Sequence, residues 1–108
     1  MERTKYKLKY GPQSNQLLIE FEDISTKQNF VNSFFTLIEY IDGNIMEIED
    51  ENQDEFVSYY LESEIGEFKI SSDNFGMMQI FPIENNEEVI YELDLLFKSD
   101  QYFQSVEN

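Results

Sequence analysis

The sequence predicts an α+β domain in which a largely antiparallel sheet of about five to six strands packs against one or two helices. Short segments that alternate apolar and polar residues occur near both ends of the chain, as in half-exposed strands. Residues 25–41 show helical spacing instead. Ten Phe and seven Tyr in 108 residues supply an aromatic core for a single domain spanning residues 1–108. The predicted order is β-β-α-β-β-β-β-α.

The first two strands form a predicted hairpin. Residues 4–10 alternate strictly and carry three lysines on one face, and residues 17–21 alternate after the turn-forming run 11–15. In such a hairpin the lysines lie across from Glu20 and Glu22. We therefore expect this basic cluster to be neutralised inside the fold.

Residues 25–41 are predicted to form the helix that packs on the sheet. Ser25 or Thr26 can cap its start, and Asp42-Gly43 supplies a C-terminal stop. The polar residues of this segment fall on the opposite face. The apolar stripe consists of Phe30, Phe34, Leu37, Ile38 and Ile41, widened by Val31 and Phe35.

Four further strands are predicted after Gly43. They fall at residues 45–48, 56–61, 67–71 and 77–81, separated by the polar run 50–55 and a turn at residues 73–76. Pro82 indicates that the last of these strands ends there or lies at a sheet edge.

Segment 86–98 fits either a helix or a strand. Alternation supports a strand, but the length and a capping-box-like start, Asn85 with Glu88, favour a helix. The helix leaves Glu88, Glu92 and Asp94 outside, and it makes Tyr91, like Tyr40, an exposed aromatic. Its apolar stripe is Val89, Ile90, Leu93, Leu96 and Phe97. A short terminal strand is also expected near residues 102–106.

Charge limits the classes of partner. The chain has 23 acidic and 7 basic residues, a formal net charge of −16, and from Tyr10 to Asn108 it has 22 acidic against 3 basic residues. Direct binding to nucleic acid or to an anionic membrane requires basic patches and is disfavoured. No signal peptide or long apolar run is visible, so a cytoplasmic location is expected.

Missing residue types limit the chemistry. The chain has no His and no Cys, which excludes histidine triads, thiol chemistry and the usual zinc sites. Asp50-x-Asn52-x-Asp54 begins like an EF-hand loop, but Glu55 and Leu61 stand where glycine and the bidentate glutamate belong. We expect no enzyme activity, cofactor or metal. A small carboxylate enzyme or a cation-binding module stays an alternative.

The strongest candidate for a binding site is window 47–67, which contains no Lys or Arg. Acidic side chains around tyrosine anchors suit recognition of a basic protein, because charges steer the encounter and aromatic rings supply contact energy. A solvated loop beside an exposed sheet face explains the same pattern, and acidity also serves solubility. The candidate protein-binding residues are Glu47, Glu49, Asp50, Glu51, Asp54, Glu55, Tyr59, Tyr60, Glu62 and Glu64.

The C-terminal part of the chain carries a family resemblance. Residues 67–76, 77–83 and 85–90, followed by Tyr102-Phe103, have a strand–turn–strand–helix rhythm. This stretch, mainly residues 66–106, resembles small acidic immunity proteins of bacterial contact-dependent growth inhibition and related polymorphic-toxin systems. The resemblance implies a cytoplasmic bacterial protein that binds and blocks one toxin domain, often a nuclease with a basic surface.

The expected function is therefore a non-enzymatic immunity protein, an inhibitor whose partner is a cognate toxin, most simply a basic nuclease domain. A DNA mimic that inhibits a nucleic-acid-binding protein is the alternative within binding proteins. Such a mimic needs carboxylates spaced like phosphates along one face of the molecule.

Overall fold

The computed structural model describes residues 4–11, 16–21, 30–51, 56–72, 78–100 and 102–106. Within these ranges the fold is α+β, as predicted, with seven strands rather than five to six. The elements are β1 (Thr4–Tyr10), β2 (Leu17–Phe21), α1 (Phe30–Tyr40), β3 (Asn44–Glu51), β4 (Phe56–Ser63), β5 (Gly66–Ser72), β6 (Met78–Pro82), a 3₁₀ turn (Ile83–Asn85), α2 (Glu87–Lys98) and β7 (Phe103–Ser105).

All seven strands join one sheet in the order β3-β4-β5-β6-β2-β1-β7. Neighbouring strands are antiparallel except β1 and β7, which are parallel. The terminal strand expected near residues 102–106 is thus confirmed and adds the seventh strand. Strands β3 and β7 are the two edges.

The hairpin of β1 and β2 confirms the predicted neutralisation for two of the three lysines, Lys7 and Lys9. Lys7 lies opposite Glu20 in the register. The Nζ atom of Lys9 is 3.1 Å from Glu20 Oε1, and that of Lys7 is 3.8 Å from Oε2. Gln79 Nε2 also donates to Glu20 Oε1 at 3.1 Å. Glu20 can be buried because it has these partners. Glu22 lies outside the described residues.

Helix α1 packs on the sheet as predicted. Its buried side chains are Phe34, Leu37 and Ile38, and Ile41 follows them into the core. Phe35 was predicted to widen the stripe but is exposed, because it lies about 100° around the helix from Phe34. The predicted cap at Ser25 or Thr26 lies outside the described residues, as do the side chains of Phe30 and Val31.

The predicted stop after α1 is confirmed. Asp42 has a positive φ of 53°, and the N–H of Gly43 donates to the carbonyl of Ile38 at 2.9 Å. A Cβ at Gly43 would come within 2.5 Å of Ile38 Cγ2. Any other residue here would force the Ile38 side chain to shift.

Segment 86–98 is a helix, so the helical prediction is confirmed. The predicted start at Asn85 with Glu88 is wrong, because the residue that precedes the helix is Asn86 and it makes no side-chain capping hydrogen bond. The apolar stripe of the helix is buried except for Leu96, which is partly buried, and Tyr91 and Tyr40 are exposed as expected. Asp94 was predicted to face outward, and this prediction is wrong. Its carboxylate is buried because it accepts a hydrogen bond from the Tyr6 hydroxyl at 2.8 Å and lies 3.1 Å from Lys98 Nζ.

The core is built around the ring of Phe97. Its centroid lies 4.9–6.1 Å from those of Tyr6, Phe21, Phe34 and Phe103. These rings come from β1, β2, α1 and β7, so one aromatic cluster joins both helices to the sheet. The helices consequently lie on the same face of the sheet.

The Tyr6–Asp94 contact predicts a pH dependence. Burial, and then the hydrogen bond to Asp94, raise the pKa of Tyr6 above its ordinary value of 10.0. In the unfolded chain the Tyr6 hydroxyl ionises near pH 10, whereas in the native state it keeps its proton. The contribution of Tyr6 to the free energy of unfolding is therefore fully present below pH 10. Above that pH it falls by up to about 1.4 kcal/mol per pH unit from this residue.

Urea titrations of Tyr6→Phe test this dependence. At pH 7 the variant should lose about 1–3 kcal/mol of unfolding free energy, because buried Asp94 loses the Tyr6 hydroxyl and keeps only Lys98 as a partner among the described residues. Between about pH 9 and 11 its stability should fall less steeply than that of the wild type. Parallel curves for the two proteins would contradict the contribution of Tyr6.

Candidate functional site

The candidate site lies on the sheet face opposite the helices, here called the open face. On β4 and β5, Leu61 and Phe68 point into the core. Side chains alternate along a strand, so Tyr60 and Lys69 point to the open face. The two residues lie directly opposite each other.

A row of four side chains crosses the open face from β3 to β6. Glu47 lies opposite Tyr60, Tyr60 opposite Lys69, and Lys69 opposite Phe81. The Nζ atom of Lys69 is 5.7 Å from the ring centroid of Tyr60 and 5.6 Å from that of Phe81, which is cation–π distance. Window 47–67 contains no Lys or Arg, but the neighbouring part of β5 places Lys69 beside Tyr60.

Two exposed carboxylates face each other beside this row. Glu62 on β4 pairs in register with Glu67 on β5, two residues along from the Tyr60–Lys69 pair and therefore on the same face. Directly opposed like charges are destabilising in a sheet. With the exposed Glu47, these residues form what we call the acidic rim: Glu47, Glu62 and Glu67.

Acidity extends to the turn between β4 and β5. The N–H of Glu64 donates to the carbonyl of Ile41 at 2.9 Å, which ties this turn to the end of α1. A hydrogen bond with the carboxyl group of Asp42, together with the negative charge of that group, raises the pKa of Glu64. This end of the sheet thus gathers carboxylates from two separate segments.

The two tyrosines of the predicted site lie on opposite faces of β4. Tyr60 is half-buried on the open face, whereas Tyr59 points to the helix face, packs against the core and lies opposite Ile48. Consecutive residues of a strand cannot share a face. A partner on the open face would contact Tyr60 and not Tyr59.

The other predicted residues lie on β3 or beyond the described ranges. Glu49, Asp50 and Glu51 occupy register positions opposite Ser58, Val57 and Phe56, and nothing further is described of these acidic side chains. Asp54 and Glu55 lie outside the described residues, as does most of the EF-hand-like run. In the parts of the chain that the structure describes, no group of three or more potential metal ligands occurs.

Sequence reasoning missed an exposed apolar patch on β3. Ile45, Met46 and Ile48 are 48–57% exposed. Ile45 and Ile48 lie opposite Leu61 and Tyr59, on the helix face, yet α2 lies against β5, β6, β2 and β7. The edge strand β3 therefore extends past the cover that α2 provides. In segment 45–51 these apolar residues lie among acidic ones, and that pattern was the sequence signal that could have revealed the exposed patch.

Comparison of the chain with protein-family models, with curated proteins and with solved structures finds no match. Among the described residues, no helix is long and apolar enough to cross a membrane. Ile45 and Ile48 of the exposed β3 patch lie on the helix face, whereas the acidic rim and the rings of Tyr60 and Phe81 share the open face. The open face therefore presents negative charge beside apolar area. Such a surface can bind a cationic protein.

Proposed function

We propose that this protein is a non-enzymatic immunity protein, which binds a cognate toxin domain and blocks it. The proposed partner is a basic nuclease domain, and the proposed location is the bacterial cytoplasm. The observation that carries the proposal is the acidic rim around Tyr60 on the open face. The resemblance of residues 66–106 to small acidic immunity proteins supports it.

The Glu62–Glu67 pair gives a physical reason for a cationic partner. Alone, the two opposed carboxylates repel each other and weaken the pairing of β4 with β5. A Lys or Arg of a partner placed between them removes that repulsion and adds charge-assisted hydrogen bonds. Binding therefore recovers free energy that the isolated protein lacks.

The rings of Tyr60 and Phe81 supply the apolar contact area that affinity also requires. Tyr60 and Phe81 are half-buried on the open face, so their rings present apolar area beside the acidic rim. Interfaces draw most of their affinity from a few such side chains, while surrounding charges raise the association rate. Lys69 lies over both rings and is already part of this arrangement.

The alternatives have less support. A DNA mimic needs its carboxylates along one face, but exposed acids also lie on the helices, at Glu39, Glu88 and Glu92. A carboxylate enzyme or a cation-binding module requires a set of converging acids. The described acids that approach each other form pairs, Glu62 with Glu67 and Asp42 with Glu64.

Co-expression tests the proposed function. Cells that produce the toxin domain encoded by the adjacent reading frame should die, and cells that also produce this protein should survive. A toxin domain from an unrelated locus serves as the control, because immunity proteins protect against their own toxin. Failure to rescue from the adjacent toxin, or absence of a toxin gene beside this one, would contradict the proposal.

A further inference from the structure

Strand β3 offers an open hydrogen-bonding edge. It pairs with β4 on one side, and in the described part of the chain no strand pairs with its other side. The register shifts between Ile45 and Glu47 and is then regular from Glu47 to Glu51. Along this stretch every second residue directs its N–H and C=O away from β4, as in any antiparallel edge.

We propose that this edge binds an extended, basic segment of the partner, which adds an eighth strand to the sheet beside β3. This inference rests on the proposed function and specifies how the partner is held. Backbone hydrogen bonds to residues 47–51 would give affinity, and side chains at alternate positions would give specificity.

Charge selects the occupant of the edge. Four of the five residues in the regular stretch, Glu47, Glu49, Asp50 and Glu51, are acidic. A second copy of this chain would place the same four acids beside them, and with a net charge of −16 per chain that pairing is repulsive. A strand that carries lysine or arginine brings the opposite charge instead.

Exposed apolar side chains define the other half of the recognition. Ile45 and Ile48 are exposed on the helix face of β3, while Glu47 is exposed on the open face. A strand added at this edge aligns one of its faces with each set. The matching segment therefore alternates basic and apolar residues, with the basic ones on the open face.

A pair of synthetic peptides tests the inference directly. The first is an eight-residue peptide of alternating lysine and valine, and the second has the same sequence with N-methyl groups on alternate backbone nitrogens. The methyl groups remove backbone donors but keep every charge. The full-length protein should bind the first peptide at low salt and bind the methylated one at least about tenfold more weakly.

Amide hydrogen exchange locates the peptide. Binding of the unmethylated peptide should slow exchange in residues 47–51. Glu47→Lys should weaken binding, whereas Glu92→Lys, an equal charge change at an exposed position of α2, should have little effect.

Three results would overturn the edge pairing. Equal binding of both peptides would mean that charge alone attracts them, and it would leave the proposed function intact. If neither peptide binds, this edge does not accept a strand. The proposed function would then still be tested by the co-expression experiment. Concentration-dependent dimerisation of the protein, with protection of β3, would show that a second copy occupies the edge.

Discussion

Replacement of Phe97 with alanine should lower the free energy of unfolding by about 3–5 kcal/mol. The ring is fully buried and contacts aromatic rings from both ends of the chain, including Tyr6 and Phe103. Truncation removes these contacts and leaves a cavity between the sheet and both helices. Urea unfolding followed by far-UV circular dichroism measures the loss, since the chain has no Trp for fluorescence.

Phe35→Ala is the matched control for this experiment. Phe35 lies on α1 and is 45% exposed, so its truncation should cost less than about 1.5 kcal/mol. If Phe97→Ala is too unstable to purify, Phe97→Leu keeps most of the apolar volume and should show a smaller loss. Equal effects of the two alanine substitutions would contradict the central position of Phe97 in the core.

Reversal of the opposed carboxylates should have the largest effect on binding. The double variant Glu62→Lys, Glu67→Lys should reduce the association rate with the cognate toxin domain by about 10- to 100-fold. Both side chains are exposed on the open face and make up most of the acidic rim. The variant should fold, because opposed lysines repel each other no more than opposed glutamates do.

Glu88→Lys, Glu92→Lys is the control for charge alone. Both glutamates are exposed on α2, on the other side of the sheet, and the change in net charge is identical. A general loss of attraction to a cation would slow both double variants equally. A site on the open face predicts a much larger effect for the Glu62 and Glu67 pair.

Local pattern was enough to predict most of the fold. Segment 86–98 was predicted to be α2 because its length and the helical spacing of its apolar residues favoured a helix over the strand that its alternating pattern also allowed. Strict alternation in residues 4–10 predicted both β1 and the pairing of its lysines with Glu20. In each case the deciding contacts lie within one element or one hairpin.

Long-range partners explain what sequence alone could not predict. Asp94 is buried beside Tyr6, 88 residues away, which donates to its carboxylate and adds to the ion pair with Lys98 on the same helix. Lys69 lies against the ring of Tyr60 because the register of β4 and β5 places the two residues opposite each other. Neither relation is visible until the strands are paired.

Sheet order explains the missed patch on β3. Ile45 and Ile48 resemble core positions of any strand, and they are exposed because β3 is an edge that extends past the cover of α2. The alternation of a strand also separates Tyr59 from Tyr60, which share a window in the sequence but not a face. The sequence therefore predicts the negative charge of the candidate site, but not which of its side chains lie on the same face of the sheet.

The association rate with the purified cognate toxin domain, measured over a range of salt concentrations, tests the central claim most directly. The account predicts a rate for the wild type that falls steeply with salt, and a slower, less salt-dependent rate for Glu62→Lys, Glu67→Lys. The Glu88 and Glu92 control should follow the wild type. Equal rates for the two double variants at every salt concentration would contradict an interface on the acidic rim.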